Sequence, residues 1–493
     1  MYISKSNFIC GCQCHKRLWL TKYKPELRHI DAGTENRFEA GTLVGEYARE
    51  LFPGGTLIEY NKEKIAAMAV HTRNEIERGT KVIYESAFVY GKLIAICDIL
   101  MVTPEGFEIY EVKSSTSCKD VYLYDLSFQR YVVEKCGYTV SKASIVYINK
   151  SYVRQDALDC KSLFTVEDRT ADTAKLLIKV DKSIPCMQEM LVGNMPDIAV
   201  GPHCDVPYTC DYRHICFCDL PKNSIFDLYR IRREAAFDYY KKGIVRIADL
   251  KGMNNVSITG IQKLQLDTIN SEEGAIDSAG IKSFFSGIKY PLYFLDFEAY
   301  QEAIPAFNNC NPYDQIPFQY SLHHIETENG LLMHKEFLAN GEGDPRRELA
   351  ERLCSDIGST GTVLAYNMSF EKGIIAGLAD LYADLRDKLL VIASNLCDLL
   401  TPFKKGFYYK REMHGSFSIK SVLPALFPND AELDYKASEI QNGSEAMAAF
   451  PALMKLTETE RLKLRNALLA YCKLDTFAMV KILNKLKEES EIS

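Results

Sequence analysis

The chain lacks any uncharged apolar run of about 18 residues, so no membrane-spanning helix is predicted. Its opening stretch, MYISKSNFICGCQCHKRLWL, lacks the long apolar core of a secretory signal, and the expected compartment is the cytoplasm. Low-complexity tracts and internal repeats are also absent, which argues against a solenoid or a disordered linker protein. No G-x-x-x-x-G-K-[ST] loop occurs, so the chain is not expected to be its own ATP-driven motor. Nor is there an excess of positive charge. Lys and Arg number 59 against 66 Asp and Glu, a formal charge of −7, which excludes a nonspecific polycation. Local basic patches and bound cations can still dominate the field at a site.

What is present describes a folded protein of two or three domains: 493 residues, 47% hydrophobic and 25% charged. Residues 36–52 carry an amphipathic helical pattern that stops before Pro53. Strand patterns follow at 82–91, 93–101 and 107–113, then a helix at 123–137, a strand at 142–150 and a helix at about 170–192. A mixed α/β domain is therefore expected over 1–220. Residues 221–288 read as a helical connector. A second α/β domain, 289–493, opens on YPLYFLDFEAY and closes on a helix carrying LLAYCKLDTFAMVKIL.

The 16 cysteines favour metal ligation or buried thiols over disulfides in a reducing compartment. They cluster at Cys10, Cys12 and Cys14, and again at Cys204, Cys210, Cys216 and Cys218. Cys136, Cys160, Cys186, Cys354 and Cys397 stand alone and read as core thiols.

Asp98 ends the apolar run GKLIAICD, and EVK places Glu111 and Lys113 on one face of the next strand, because strand side chains alternate with period two. Paired as a hairpin, these strands bring Asp98 to the same point. Two carboxylates can hold a divalent ion there while a lysine steadies a nucleophilic water or a phosphate, which phosphodiester hydrolysis requires. A solvated strand edge would give the same spacing. Glu46 on the preceding helix and Gln129 on the following one can join the pocket.

Residues 1–220 resemble the PD-(D/E)XK nuclease superfamily in its RecB-like branch, near Cas4. The resemblance implies a restriction-endonuclease-like core with Asp98, Glu111 and Lys113 as the metal and catalytic set, Glu46 upstream, and Gln129 in LSFQRYVVE as the downstream glutamine. CHKRLWL and the run CDVPYTCDYRHIC resemble the cysteine framework of iron–sulfur members. That implies a [4Fe–4S] cluster on Cys14, Cys204, Cys210 and Cys216, with a zinc ion on the same four thiols as the alternative.

In the second half, LYFLDFEAY sets Asp296 and Glu298 on one face of an apolar strand, a costly arrangement unless the acids bind something. LAYNMSFEKGII offers Asn367 and Glu371, and YCKLDTFAM offers Tyr471 and Asp475, each spaced i,i+4 on a helix. The set resembles the DnaQ-like, RNase H-fold 3′–5′ exonucleases of the DEDD group, with glutamate at position 371 where that group carries aspartate. The resemblance implies an RNase H-like mixed-sheet domain, Asp296, Glu298, Glu371 and Asp475 as ligands of Mg²⁺ or Mn²⁺, and Tyr471 orienting the attacking water. Between the motifs, Lys404, Lys405, Lys410, Arg411 and Lys420 interleave with Phe403, Phe407, Tyr408 and Tyr409, a mixture that suits a single strand.

Both halves together resemble the DUF2779 domain proteins, in YISKSNFI, CHKRLWL, GPHC, YPLYFLDFEAY and YCKLDTFAM. The expectation is a metal-dependent nuclease acting on single-stranded DNA or DNA ends, exonuclease rather than endonuclease. A helicase, or a repair or defence system, is the expected partner setting, with no membrane. An RNA-processing nuclease and a nucleic-acid-binding scaffold with decayed sites are the alternatives.

Overall fold

The computed structural model describes residues 2–29, 32–253, 257–433, 435 and 439–491, without the side chains of 32–39 and 62. The chain is a multidomain α/β protein built on open mixed sheets. It divides into two compact units, Met1–Cys218 with Glu302–Asp314, and Asp219–Gln301 with Gln315–Ser493. Residues 221–288 thus fall within the second unit.

The first unit holds a seven-stranded sheet. Its strands are β1 (Ile3–Ser4), β2 (Thr56–Leu57), β3 (Val82–Tyr90), β4 (Leu93–Thr103), β5 (Gly106–Lys113), β6 (Val140–Ile148) and β7 (Phe164–Asp168). They run in the order β2-β3-β4-β5-β6-β7, with β1 beside β4. Apolar residues alternate across the sheet. Ile109 and Ile145 enter one core with Leu126, Phe128 and Val132 of the Asp120–Lys135 helix. Tyr110 and Val146 enter another with Val44 and Ala48 of the Ala32–Ala48 helix. Burial on both faces stabilises the sheet by the apolar area withdrawn from water.

Gly91 turns the β3–β4 hairpin with φ +56, a conformation glycine adopts without a Cβ penalty. The hairpin ladder is broken opposite Asp98, at Glu85, where φ is +54. On its other side, β4 pairs with β5 from Thr103↔Gly106 up to Ile99↔Tyr110. Asp98 therefore stands at a one-residue interruption of the β3–β4 ladder and just past the end of the β4–β5 ladder, where its carboxylate turns toward β5.

The second unit holds a five-stranded sheet and a two-stranded one. Its strands are β8 (Ala275–Ile276), β9 (Leu292–Tyr300), β10 (Ile316–Ile325), β11 (Met333–Leu338), β12 (Thr362–Ala365), β13 (Leu396–Asp398) and β14 (Tyr408–Tyr409). The larger sheet runs β11-β10-β9-β12-β13, with β9, β12 and β13 parallel. Central β9 is buried along nearly its whole length, as a strand covered on both faces must be. Tyr293 and Leu295 enter one core, and Phe294 enters the other with Ala478, Met479 and Ile482 of the Glu458–Glu491 helix. Period-two alternation then sends Asp296 and Glu298 toward that helix.

Candidate metal centre

Three carboxylates of the second unit, Asp296, Glu298 and Asp475, bring one oxygen each within 4.8 Å of one another. Strand β9 supplies two of them, and the Glu458–Glu491 helix supplies the third one turn beyond Tyr471. Glu298 and Asp475 are buried and Asp296 is half-buried. Burial, reinforced by the neighbouring acids, pushes Asp296 well above the ordinary carboxylate value. Burial and Asp475 push Glu298 up to about 8, and burial raises Asp475 to about 6.

Glu371, in the first turn of the Ser369–Leu381 helix, lies outside the converging triad but close enough for Asp296 to feel its charge. Burial pushes it up to about 7, and its Oε2 is buried with no hydrogen-bond partner. Tyr435 donates to Asp475 Oδ1 at 2.6 Å, and Tyr471 also lies in hydrogen-bonding reach of that carboxyl. The Lys420 ammonium sits 5.5 Å from the Tyr435 ring centre and 5.9 Å from that of Tyr471, and its charge opposes the upward shifts of Glu298 and Asp475. Asp398 ends β13 and holds the Asn367 N–H at 2.9 Å, with Asn367 at φ +67. Parallel β9 and β13 thus carry Asp296, Glu298 and Asp398, and the helix that follows β12 carries Glu371.

Hard oxygen donors, an uncompensated excess of buried acids and an orphaned carboxylate oxygen fit a divalent ion of the Mg²⁺ or Mn²⁺ type. Such an ion would offset the burial and mutual repulsion that raise these carboxyls.

In the first unit, Asp98, Glu111, Lys113 and Gln129 do come together. Glu111 is buried and accepts from Lys113 at 2.6 Å and from Gln129 Nε2 at 2.7 Å. Asp98 accepts the Val112 N–H at 2.7 Å, the partner its departure from the ladder makes available. Burial would raise Glu111, but Lys113 and Lys5 hold it well below the ordinary range. Burial and Glu111 push Asp98 up to about 7. Two members had no sequence signal. Lys5 donates to Glu111 at 2.8 and 3.1 Å and to Asp98 at 3.4 Å, and Asp125 pairs with Lys113 at 2.5 Å. Glu46 is exposed on its helix and joins none of these hydrogen bonds.

The expected cysteine-held cofactor, [4Fe–4S] or zinc, is overturned. Cys14, Cys204, Cys210 and Cys216 line one small cavity, yet no three of their thiols lie within 4.8 Å of one another. Among the described residues the ligand group at that spacing is the all-carboxylate one. Burial pushes the Cys204 and Cys216 thiols up and Cys210 to about 11. Spacing in the sequence brought the segments together without aiming their sulfurs at one point. Hydrogen bonds tie the segments instead, with Gln13 Nε2 donating at 2.7 Å to the carbonyls of both His203 and Tyr208.

The basic and aromatic stretch is also revised. Phe403, Tyr408 and Tyr409 are buried in the core, so their rings are closed to base stacking. Lys404 instead lies 3.7 Å from Asp398, at the edge of the acidic pocket.

Residues 293–418 match the family profile described as "Domain of unknown function (DUF2779)". That span carries Asp296, Glu298 and Glu371 and ends before Tyr471 and Asp475. The "Uncharacterized protein UU173" of Ureaplasma parvum serovar 3 is 25% identical over 283 residues, 53% of this chain. The matched region covers 40% of that relative's length. No helix among the described residues is long and apolar enough to cross a membrane.

Proposed function

We propose that this chain is a divalent-metal-dependent nuclease that hydrolyses phosphodiester bonds, acting on single-stranded DNA or DNA ends. The observation that carries the reading is the triad Asp296, Glu298 and Asp475, two of them buried and one half-buried, which bring one carboxylate oxygen each within 4.8 Å of one another. Mg²⁺ or Mn²⁺ bound there would supply Lewis-acid activation of water and neutralise charge growing on the phosphoryl oxygens. The chain's own groups set the conditions. Asp296, Glu298 and Asp475 hold the ion, and Glu371 offers its unpartnered oxygen. Tyr435 and Tyr471 fix the rotamer of Asp475. Lys420 and Lys404 place positive charge where a phosphate backbone would approach.

The acid order D-x-E, Glu371, Y-x-x-x-D and the mixed sheet that carries it support a DnaQ-like, RNase H-fold assignment of 289–493. The hairpin that joins Asp98 to Glu111, with Lys113 and Gln129 on the same carboxylate, supports a PD-(D/E)XK assignment of 1–220 and a second cleavage site. Exonuclease action suits both readings.

End-labelled single-stranded DNA and RNA, incubated with Mn²⁺ and wild type, D296A or E111A, test this. Loss of DNA cleavage in D296A is expected. Cleavage that survives in D296A and disappears in E111A would move the activity to the first unit. RNA cut in place of DNA would reassign the substrate. No cleavage by wild type with Mn²⁺ or Mg²⁺ would leave a binding protein.

A further inference from the structure

The two acidic sites differ in how their charge is balanced. Glu298 and Asp475 feel the charge of Lys420, whose ammonium is turned to the Gln441 carbonyl at 2.6 Å. Asp98, Glu111 and Asp125 instead enclose two ammoniums, those of Lys5 and Lys113. Lys113 sits between Glu111 and Asp125. Lys5 sits between Asp98 and Glu111, the two carboxylates read as metal ligands.

The placement of Lys5 is built rather than incidental. Strand β1 locks Ile3 and Ser4 onto Leu93 and Ile94 of β4, the strand that also carries Asp98. Ser4 then caps the Lys5–Gln13 helix, in a box completed by Asn7. Lys5 is thereby fixed as the first helical residue, where a cation opposes the helix dipole. The helix gives no reason for lysine at this position; the two carboxylates do.

We infer that Lys5 is a resident counter-cation of the first site, holding the place between Asp98 and Glu111 that a divalent ion would take. The site then accepts metal only as Lys5 withdraws, so the two sites load at different metal concentrations. The inference rests on reading Asp98 and Glu111 as metal ligands, while its test reads cation uptake and needs no cleavage.

Mn²⁺ uptake is followed by electron paramagnetic resonance on the full chain carrying D296N, which weakens the second unit's site. To that background are added K5M, K5Q and K5R in turn, and circular dichroism checks each fold. K5M and K5Q remove the charge, and each is expected to tighten Mn²⁺ binding by about tenfold or more, the scale on which groups bonded to metal ligands act. K5R keeps the charge and is expected to bind as its parent does. Adding E111Q to K5M should abolish the gain. Unchanged uptake in both K5M and K5Q, or an equal gain in K5R, would overturn the inference. A D296N chain that loses no Mn²⁺ would count against the second unit's site alone, because the Lys5 comparison is made within one background.

Discussion

At the scale of single residues, the chemistry follows from carboxylates that burial has made reluctant to ionise. Glu298 is raised to about 8, Glu371 to about 7 and Asp475 to about 6, all above the value they take in an unfolded chain. Between the unfolded and folded values, the unfolded chain has released protons that the folded chain keeps. Their contribution to stability is therefore complete below about pH 4 and is lost as pH rises to about 8. In chelator, the melting temperature is expected to fall across that window, and E298Q should flatten the fall. Saturating Mn²⁺ should remove it, because the ion replaces the protons. Metal binding should tighten over the same range, since ionised carboxylates are the ligands. Tyr435 acts through Asp475 as a positioning residue. Y435F is expected to weaken Mn²⁺ binding by about 10–100-fold with the circular dichroism spectrum unchanged, measured by calorimetric titration.

At the scale of elements, the strand and helix periods explain what could be read ahead of the structure. The D-x-E of β9 and the E-x-K of β5 announce acids and a lysine on one strand face. The pair Tyr471/Asp475 announces a helix face, but Asn367 falls in the turn before the Ser369–Leu381 helix at φ +67 and shares no helix face with Glu371. Strands β3, β4 and β5 and the helices at 120–135 and 170–190 fall close to the patterns that predicted them. Partners brought by tertiary contact left no such trace. Lys5 lies 93 positions from Asp98 and Tyr435 lies 40 from Asp475, and no local period links either pair. The cysteine spacing misled for the complementary reason, because nearby segments need not aim their side chains at one point. Two substitutions test the element packing. Gly361 precedes β12 with φ +96, and a Cβ there would lie 2.1 Å from the Pro291 carbonyl oxygen. G361A must meet that clash in addition to about 1–2 kcal/mol of backbone strain, and a clear drop in melting temperature is expected. Ile482 is fully buried on the Glu458–Glu491 helix, and I482A is expected to cost about 2–5 kcal/mol in denaturant unfolding.

At the scale of the whole molecule, each unit has its own mixed sheet and its own acidic site, and the charge balance sets them apart. The family match covers 293–418, which lies in the second unit apart from Glu302–Asp314 and includes β9, whose acids outnumber their cations. Ligand linkage makes that excess measurable. Mn²⁺ at about one hundred times its dissociation constant should stabilise the folded protein by about 2.7 kcal/mol, and D475N should abolish the gain. The claim on which the account turns is that Asp296, Glu298 and Asp475 jointly hold a divalent ion. Anomalous diffraction from crystals soaked in Mn²⁺ addresses it most directly. A peak within coordination distance of all three carboxylates is the expected result. A map with no peak there, at Mn²⁺ concentrations that support cleavage, would contradict it.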